Sequence, residues 1–160
     1  MLISLNKVAY WLSVCFGVGL LPKAPGTWGS LFAVLLGSWI IKNYHIDIMI
    51  IVILFIFGIG LWASNLHQEC TGKHDLGEVV IDEVVGQWIA LLPLYFVTIS
   101  QNFWMDTLVS FTLFRIFDIK KPWPISWMDK HIGGGLGVML DDVVAGIFAA
   151  LMFVLIGYFV

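Results

Sequence analysis

The sequence predicts an all-α polytopic membrane protein: a helical bundle of about four to five membrane helices with a short interfacial or re-entrant helix at its N-terminus. Of its 160 residues, 60% are hydrophobic and only 12% are charged, and its mean hydropathy is +0.95. Soluble domains average about 45–50% apolar and about 25% charged residues. The length fits one domain, residues 1–160. The net charge of -3 is small, and no basic patch indicates a nucleic-acid partner.

Apolar runs between polar loops give the predicted membrane segments. Residues 8–21 are apolar but short, because a crossing needs about 20 residues. An interfacial or re-entrant helix is therefore expected there. A loop rich in helix breakers follows at 22–29, with Thr27 as the expected cap of the next helix. The predicted crossings are residues 28–41, 48–65, 84–99, 103–117 and 143–160.

The distribution of charge orients these segments. With these crossings, the loops at 22–27, 66–83 and 118–142 lie on one side of the membrane. That side carries most of the cations, which by the positive-inside rule places it in the cytoplasm. Nine of the eleven acidic residues fall in two windows, 69–83 and 118–142, on the same side. Cations and carboxylates therefore converge at one membrane face, as a site for an anionic substrate and a metal ion requires.

Two pairs of adjacent carboxylates, Asp82-Glu83 and Asp141-Asp142, each stand near the start of an apolar helix. One or two acids could be explained by the helix macrodipole, which stabilises each by about 0.3–1 kcal/mol. Two pairs with further acids nearby exceed that explanation, because carboxylates at bilayer depth cost roughly 2.5–3.5 kcal/mol each. Hard oxygen ligands predict Mg²⁺, with Mn²⁺ as an alternative. The further acids are Asp75, Glu78 and Asp129.

Several cations could meet an anion beside these acids. Lys23 and Thr27 flank a predicted helix start, where backbone N–H groups favour a phosphate, although a plain capped turn would explain them too. Arg115 is the single arginine, and it could pair with Asp118 one turn away. With Lys120 and Lys121 it could instead hold a lipid headgroup.

Other polar features carry weaker predictions. Gly133–Gly137 could let the backbone approach a phosphate or could simply form a turn. Cys70 and His74 could ligate a soft metal, but the nearby carboxylates favour a harder ion. The eight tryptophans are expected to form interfacial belts. The histidines at 67, 74 and 131 are expected to be polar-edge residues rather than acid–base groups.

Four motifs together resemble those of the phosphatidylglycerophosphatase A family of bacterial membrane enzymes. They span most of the chain in family order, and only their combination is specific. The motifs are P-K-A-P-G-T-W-G-S at 22–30, D-L-G-E-V-V-I-D-E-V-V-G at 75–86, F-R-I-F-D-I-K-K-P-W-P-I at 114–125 and G-G-L-G-V-M-L-D-D-V-V-A-G at 134–146.

The resemblance implies Mg²⁺-dependent hydrolysis of the terminal phosphomonoester of phosphatidylglycerophosphate, which yields phosphatidylglycerol in phospholipid biosynthesis. It also implies a multi-pass protein of the bacterial inner membrane with its site facing the cytoplasm. The site residues that the resemblance implies are Lys23, Thr27, Asp75, Asp82, Glu83, Arg115, Asp118, Lys121, Asp129, Asp141 and Asp142.

The mechanistic hypothesis built on this resemblance divides the residues by role. Asp82, Glu83, Asp141 and Asp142 hold one or two Mg²⁺ ions. Asp129 or Asp75 is the catalytic group, acting as a general base or as the nucleophile that would form an aspartyl-phosphate. The remaining residues bind the phospholipid substrate, and they are Lys23, Thr27, Arg115, Asp118 and Lys121.

Two functions from other classes stay open at this stage. A small cation transporter or channel also carries intramembrane acids, but it would place them near mid-bilayer in several helices. An acid-rich subunit of a larger membrane complex, with no chemistry of its own, would not explain the paired carboxylates. Oligomeric state is left open by the sequence.

Overall fold

Seven α-helices and two short 3₁₀ helices form the regular structure of the computed structural model, which describes residues 2–71 and 77–160. No β-strand occurs within these two ranges, so the all-α prediction is confirmed. The 3₁₀ helices span Cys15–Leu20 and Leu92–Tyr95. The α-helices are α1 (Leu2–Ser13), α2 (Pro25–Asn43), α3 (Ile46–Thr71), α4 (Ile81–Leu91), α5 (Phe103–Lys120), α6 (Ile125–His131) and α7 (Gly134–Phe159).

Helix α4 forms the centre of the bundle, where it packs against α2, α3, α5 and α7. Eight of its eleven residues are buried, which is why so short a helix can hold four others together. Among them is Trp88, whose Nε1 donates a 2.8 Å hydrogen bond to the carbonyl of Ala33 on α2. The prediction that all eight tryptophans form interfacial belts is therefore wrong for Trp88, which belongs to the core.

Close contact between α4 and α7 depends on two glycines. A Cβ placed on Gly146 would overlap the carbonyl oxygen of Gly86, and a Cβ on Gly86 would lie 2.5 Å from the carbonyl oxygen of Asp142. Small residues at a crossing let two helix backbones approach, as in membrane helix pairs. The crossing therefore brings the first turn of α4 against the part of α7 that carries its two aspartates.

The N-terminal segment is not one helix. Helix α1 packs against α3 and ends at Ser13, and the chain then turns through left-handed backbone at Cys15, Phe16 and Gly17. A similar turn precedes α2, whose N-cap is Ala24 with a φ of 52°. The prediction that Thr27 caps this helix is wrong, since the left-handed turn starts the helix at Pro25, before Thr27 is reached.

Two of the helices in the described ranges, α3 and α7, are long and apolar enough to span a membrane, fewer than the four to five predicted. The third predicted crossing, 84–99, is divided by Pro93: α4 ends at Leu91 and the chain continues in a 3₁₀ turn. Helix α5 carries Asp106 and Arg115 within a predicted crossing, which lowers its hydropathy. Asp106 is structural, because its carboxylate accepts bonds from Ser100 in the preceding turn.

The segment 118–142, predicted to be a loop, contains α6 and the first turns of α7. The glycine run does not form a free loop, since α7 begins at Gly134. A Cβ on Gly135 would lie 2.7 Å from the Leu61 carbonyl oxygen, and a Cβ on Gly137 would overlap the carbonyl of Ile132. These glycines let the start of α7 pack against α3 and the end of α6.

Aromatic and basic side chains lie at both ends of the α2–α5 pair. At one end, Lys42 Nζ lies 4.5 Å from the ring centroid of Phe103 and 4.2 Å from that of Trp104. At the other end, Trp123 and Trp127 are exposed beside the C-terminus of α5. Aromatic side chains at two levels are the pattern of a protein that meets two membrane–water interfaces.

Gly146→Ala should destabilise the bundle, whereas Gly58→Ala should not. The added methyl group at residue 146 would overlap the Gly86 carbonyl, and such overpacking costs about 1–3 kcal/mol. Gly58 lies within α3, and beyond the backbone of its own helix no atom lies within 4 Å of its Cβ position, so alanine there should gain up to about 1 kcal/mol from helix propensity. Thermal unfolding of both variants in detergent measures the difference. Equal midpoints would show that the crossing tolerates a side chain.

Candidate active site

An open cavity of about 640 Å³ lies where the starts of α4 and α7 meet the C-terminus of α5 and helix α6. Residues of α3 and of the segment before α4, among them Ser64 and Val79, complete its wall. Two lysines, Lys121 and Lys130, and six carboxyl side chains line it. The six are Asp82, Glu83, Asp118, Asp129, Asp141 and Asp142.

Three of these carboxylates form a cluster with metal-ligand spacing. One oxygen each from Asp82, Glu83 and Asp142 lies within 4.8 Å of the others. Glu83 Oε2 and Asp142 Oδ2 are buried and have no hydrogen-bond partner among the described residues. Unpaired carboxylate oxygens at such depth are costly unless a cation binds them. The donor set therefore fits a hard divalent cation that prefers oxygen ligands.

Burial governs the protonation of the α4 acids. Burial, with the neighbouring Asp142 and Asp118 carboxylates adding to it, raises the pKa of Glu83 to about 8. Burial and the adjacent Glu83 carboxylate raise the pKa of Asp82 well above its usual range. Without a cation, a pKa of about 8 would leave the Glu83 carboxyl mostly protonated at neutral pH. A bound divalent cation would favour the ionised forms of both carboxyls.

Asp141, one of the four predicted metal ligands, pairs with Lys121 instead of joining the cluster of the other three. Lys121 Nζ donates 2.6 Å and 2.7 Å hydrogen bonds to Asp141 Oδ2 and Asp129 Oδ1. Burial alone would lower the pKa of Lys121, but these two carboxylates outweigh it and raise that pKa, so the ammonium stays charged. Lys121 lies in this position because it ends α5 in the left-handed conformation, with a φ of 40°.

Arg115 connects α5 to α2 and to the acids. Its Nη1 lies 2.5 Å from Asp118 Oδ2 and donates a 3.2 Å hydrogen bond to Ser30 Oγ. At Gly26, on the first turn of α2, a Cβ would overlap Glu83 Oε1 and would lie 3.3 Å from the same Arg115 nitrogen. The N-terminus of α2, with its positive dipole end, therefore packs directly against the carboxylate cluster.

The other predicted substrate ligands are near this cavity but do not line it. Lys23 is exposed and precedes α2, and Thr27 is half-buried in its first turn. The backbone N–H of Thr27 donates to the Ala24 carbonyl, so this amide is not free for a phosphate. The predicted catalytic residue Asp75 lies outside the described residues, as does His74.

A buried side-chain network behind the cavity was missed by the sequence analysis. Ser13 Oγ lies 2.8 Å from His67 Nδ1, and His67 Nε2 lies 3.1 Å from Glu78 Oε1. Ser13 and His67 are 0% and 4% exposed, so the prediction that His67 is a polar-edge residue is wrong. Because Val80 N also donates to the Ser13 carbonyl, α1 is tied to the segment that leads into Asp82. No motif signalled this link, since its members lie far apart in the sequence.

Comparison with known proteins gives the family. The family model described as Phosphatidylglycerophosphatase A matches residues 11–157. The chain belongs to the phosphatidylglycerophosphatase A family. The match spans every described residue of the cavity wall. The resemblance drawn from the four motifs is thereby confirmed, and membership makes the chain an enzyme of the phosphoric monoester hydrolase class.

Curated relatives agree with this assignment. A protein of Escherichia coli named Phosphatidylglycerophosphatase A is 38% identical over 148 residues, which cover 92% of the chain and 82% of the relative. One of Haemophilus influenzae with the same name is 38% identical over 156 residues, 98% and 93% of the two chains. A Bacteroides thetaiotaomicron protein provisionally named phosphatidylinositol-3-phosphatase is 39% identical over 144 residues, 86% of each. No solved structure matches the chain. The family does not favour the transporter alternative.

Ser13→Ala should destabilise the protein, whereas Ser38→Ala should have little effect. Both hydroxyls are buried, but Ser13 Oγ bonds to His67 and to the Tyr10 carbonyl. Ser38 Oγ has no partner among the described residues. Leaving buried partners unpaired costs about 1–3 kcal/mol, while removing an unpaired hydroxyl costs little. Thermal unfolding in detergent compares the two variants. A Ser13→Ala protein as stable as Ser38→Ala would refute a stabilising role for this network.

Proposed function

We propose that this protein hydrolyses the terminal phosphomonoester of phosphatidylglycerophosphate in a Mg²⁺-dependent reaction that yields phosphatidylglycerol and inorganic phosphate. The observation that carries the proposal is the cluster of Asp82, Glu83 and Asp142, in which Glu83 Oε2 and Asp142 Oδ2 are buried with no partner among the described residues. Family membership supplies the substrate class, because two relatives are named for this activity.

Asp82, Glu83 and Asp142 would hold the metal ion. Asp141, the fourth predicted ligand, is engaged by Lys121 instead, which favours one ion over two. When bound, Mg²⁺ would neutralise phosphate oxygens and orient a water molecule, and Mn²⁺ could replace it, since both prefer carboxylate and water ligands. The phosphate dianion and the acids could not share this cavity without such a cation.

The chain's own cations and acids would serve the reaction as follows. Lys121 and Arg115 neutralise charge on the phosphoryl group from the α5 side, and Lys23 with Thr27 does so from the start of α2. Asp118 holds the Arg115 guanidinium in place through their ion pair. Asp129 is half-exposed and lines the cavity, so it can take the proton of an attacking water molecule. Asp75 is the second candidate for this role.

The cavity would face the cytoplasm from a multi-pass fold in the bacterial inner membrane. Helices α3 and α7 supply the candidate spans, and α2 and α5 would add two crossings beside them, which makes four. Lys120, Lys121 and Lys130 lie at the cavity end, whereas Lys42 lies at the opposite end of α2. This asymmetry matches the positive-inside rule. A phosphomonoester at the headgroup level could reach the cavity while its acyl chains stay in the bilayer.

Asp142→Asn should abolish phosphate release from phosphatidylglycerophosphate, while Asp47→Asn should not. Asp142 is 3% exposed in the carboxylate cluster, whereas Asp47 is an exposed acid at the start of α3. We expect a loss of about a hundredfold or more for the first variant, because a ligand of the stabilising cation is removed. Phosphate release in detergent micelles compares the two variants. The same assay of the wild-type protein, with Mg²⁺ and then with excess chelator, tests the metal requirement.

Each result separates a different part of the proposal. Full activity with chelator present would exclude the metal ion, even if the substrate were confirmed. An Asp142→Asn protein as active as Asp47→Asn would exclude the cluster as the metal site. A folded, Mg²⁺-loaded wild-type protein that releases phosphate from inositol phospholipids but not from phosphatidylglycerophosphate would reassign the substrate.

A further inference from the structure

A second, apolar groove of about 250 Å³ lies on the outer face of α5. Its lining comes from two neighbouring rows of that helix, each with a spacing of four residues. These positions extend over about two and a half turns, about 13 Å at 1.5 Å per residue. The groove residues are Phe111, Thr112, Arg115, Ile116, Ile119 and Lys120.

The groove carries two cations among its apolar side chains. Arg115 lies near its middle and Lys120 at its C-terminal end, while Phe111 lies at the other end. Ile116 and Ile119 are 42% and 68% exposed along the groove. Their outward-facing surface matches a hydrocarbon chain, and the two cations match the phosphate to which a lipid's chains are joined.

One ion pair connects the groove to the acidic cavity. Arg115 lines the groove, Asp118 lines the cavity, and the two side chains form an ion pair 2.5 Å long. The side chain of Arg115 is only 14% exposed, so its guanidinium passes beneath the surface from the groove toward Glu83. A molecule with a phosphate in the cavity and a hydrocarbon tail in the groove would lie across this pair.

We propose that the α5 groove binds an acyl chain of the phospholipid substrate while the phosphate occupies the carboxylate cavity. The proposal rests on the lipid phosphatase function argued above and adds the location of the chain. It predicts that affinity depends on chain length, because a chain of only a few carbons would cover little of the groove's apolar surface. A longer chain would contact the groove and gain its apolar burial.

Ile116→Trp tests the groove by filling it, and Ile48→Trp is the matched control. Both isoleucines are 42% exposed on outward-facing helix surfaces, but Ile48 lies on α3, away from the groove. In mixed micelles we expect Ile116→Trp to lower kcat/KM about tenfold for phosphatidylglycerophosphate with long chains, mainly through KM. Activity on the substrate with very short chains should change less than about twofold, as should both activities of Ile48→Trp.

Thr112→Phe fills the same groove and serves if Ile116→Trp does not fold. An equal loss on long-chain and short-chain substrates, or the same selective loss in Ile48→Trp, would overturn the proposal. If the wild-type protein hydrolysed neither substrate, the phosphatase function would fail first. The groove would then be tested by binding alone.

That binding test uses a long-chain phosphatidylglycerophosphate carrying a photoreactive group on its acyl chain, with Mg²⁺ present, since in that case no turnover competes with labelling. Peptide mapping should place the label in the segment 111–120, and excess unlabelled long-chain substrate should remove it. Nonspecific labelling of α3 by photoreactive lipid in the surrounding micelle should persist when the unlabelled substrate is added. Uniform labelling of all outward-facing helices, with no competition at α5, would refute the groove as an acyl-chain site.

Discussion

The contact of Gly86 with Gly146 is the constraint on which the rest of the structure depends. Because neither residue has a side chain, the α4 backbone can approach α7 until the Gly86 carbonyl occupies the space of a Cβ on Gly146. This approach sets Asp82 and Glu83 opposite Asp142. A wider crossing would move the carboxylate oxygens out of the 4.8 Å range in which one ion could bind all of them. The packing of the bundle and the chemistry of the cavity therefore have the same cause.

The electrostatics of the cavity oppose the packing that creates it. Six carboxyl side chains and two lysines line the space, an excess of acid that would repel any phosphate. Local pairing offsets part of this charge: Lys121 joins Asp129 to Asp141, and Arg115 holds Asp118. The negative charge of Asp82, Glu83 and Asp142, on α4 and α7, has no such cationic partner among the described residues. A cation bound by this cluster would let an anionic substrate enter the cavity, which is why the proposed function includes a metal ion.

Local sequence signals predicted the all-α class, the family, and the six carboxylates and Lys121 of the cavity, because long apolar runs, paired acids and motifs are visible without tertiary contacts. These signals did not predict which acids pair with Lys121 and which belong to the carboxylate cluster. Asp141 and Asp142 are neighbours in sequence, yet successive helical residues point about 100° apart, so one meets Lys121 and the other meets Glu83. Helix α6 was missed because its few residues fall between prolines and glycines that predict a loop. The link from Ser13 to His67 depends on α1 packing against α3, which no local pattern records.

Arg115 shows why one cation of this site should be an arginine. Its guanidinium meets Asp118 and Ser30 on two different helices and still has a buried Nε without a partner among the described residues. Both of these bonds come from Nη1, so the guanidinium keeps a donor on another nitrogen, whereas a lysine carries all of its donors on one nitrogen. Under the proposed function, the planar group would stay anchored between α5 and α2 and could still donate to a phosphate oxygen. In this way a single side chain on α5 connects the polar chemistry of the cavity to the apolar surface that would hold the lipid.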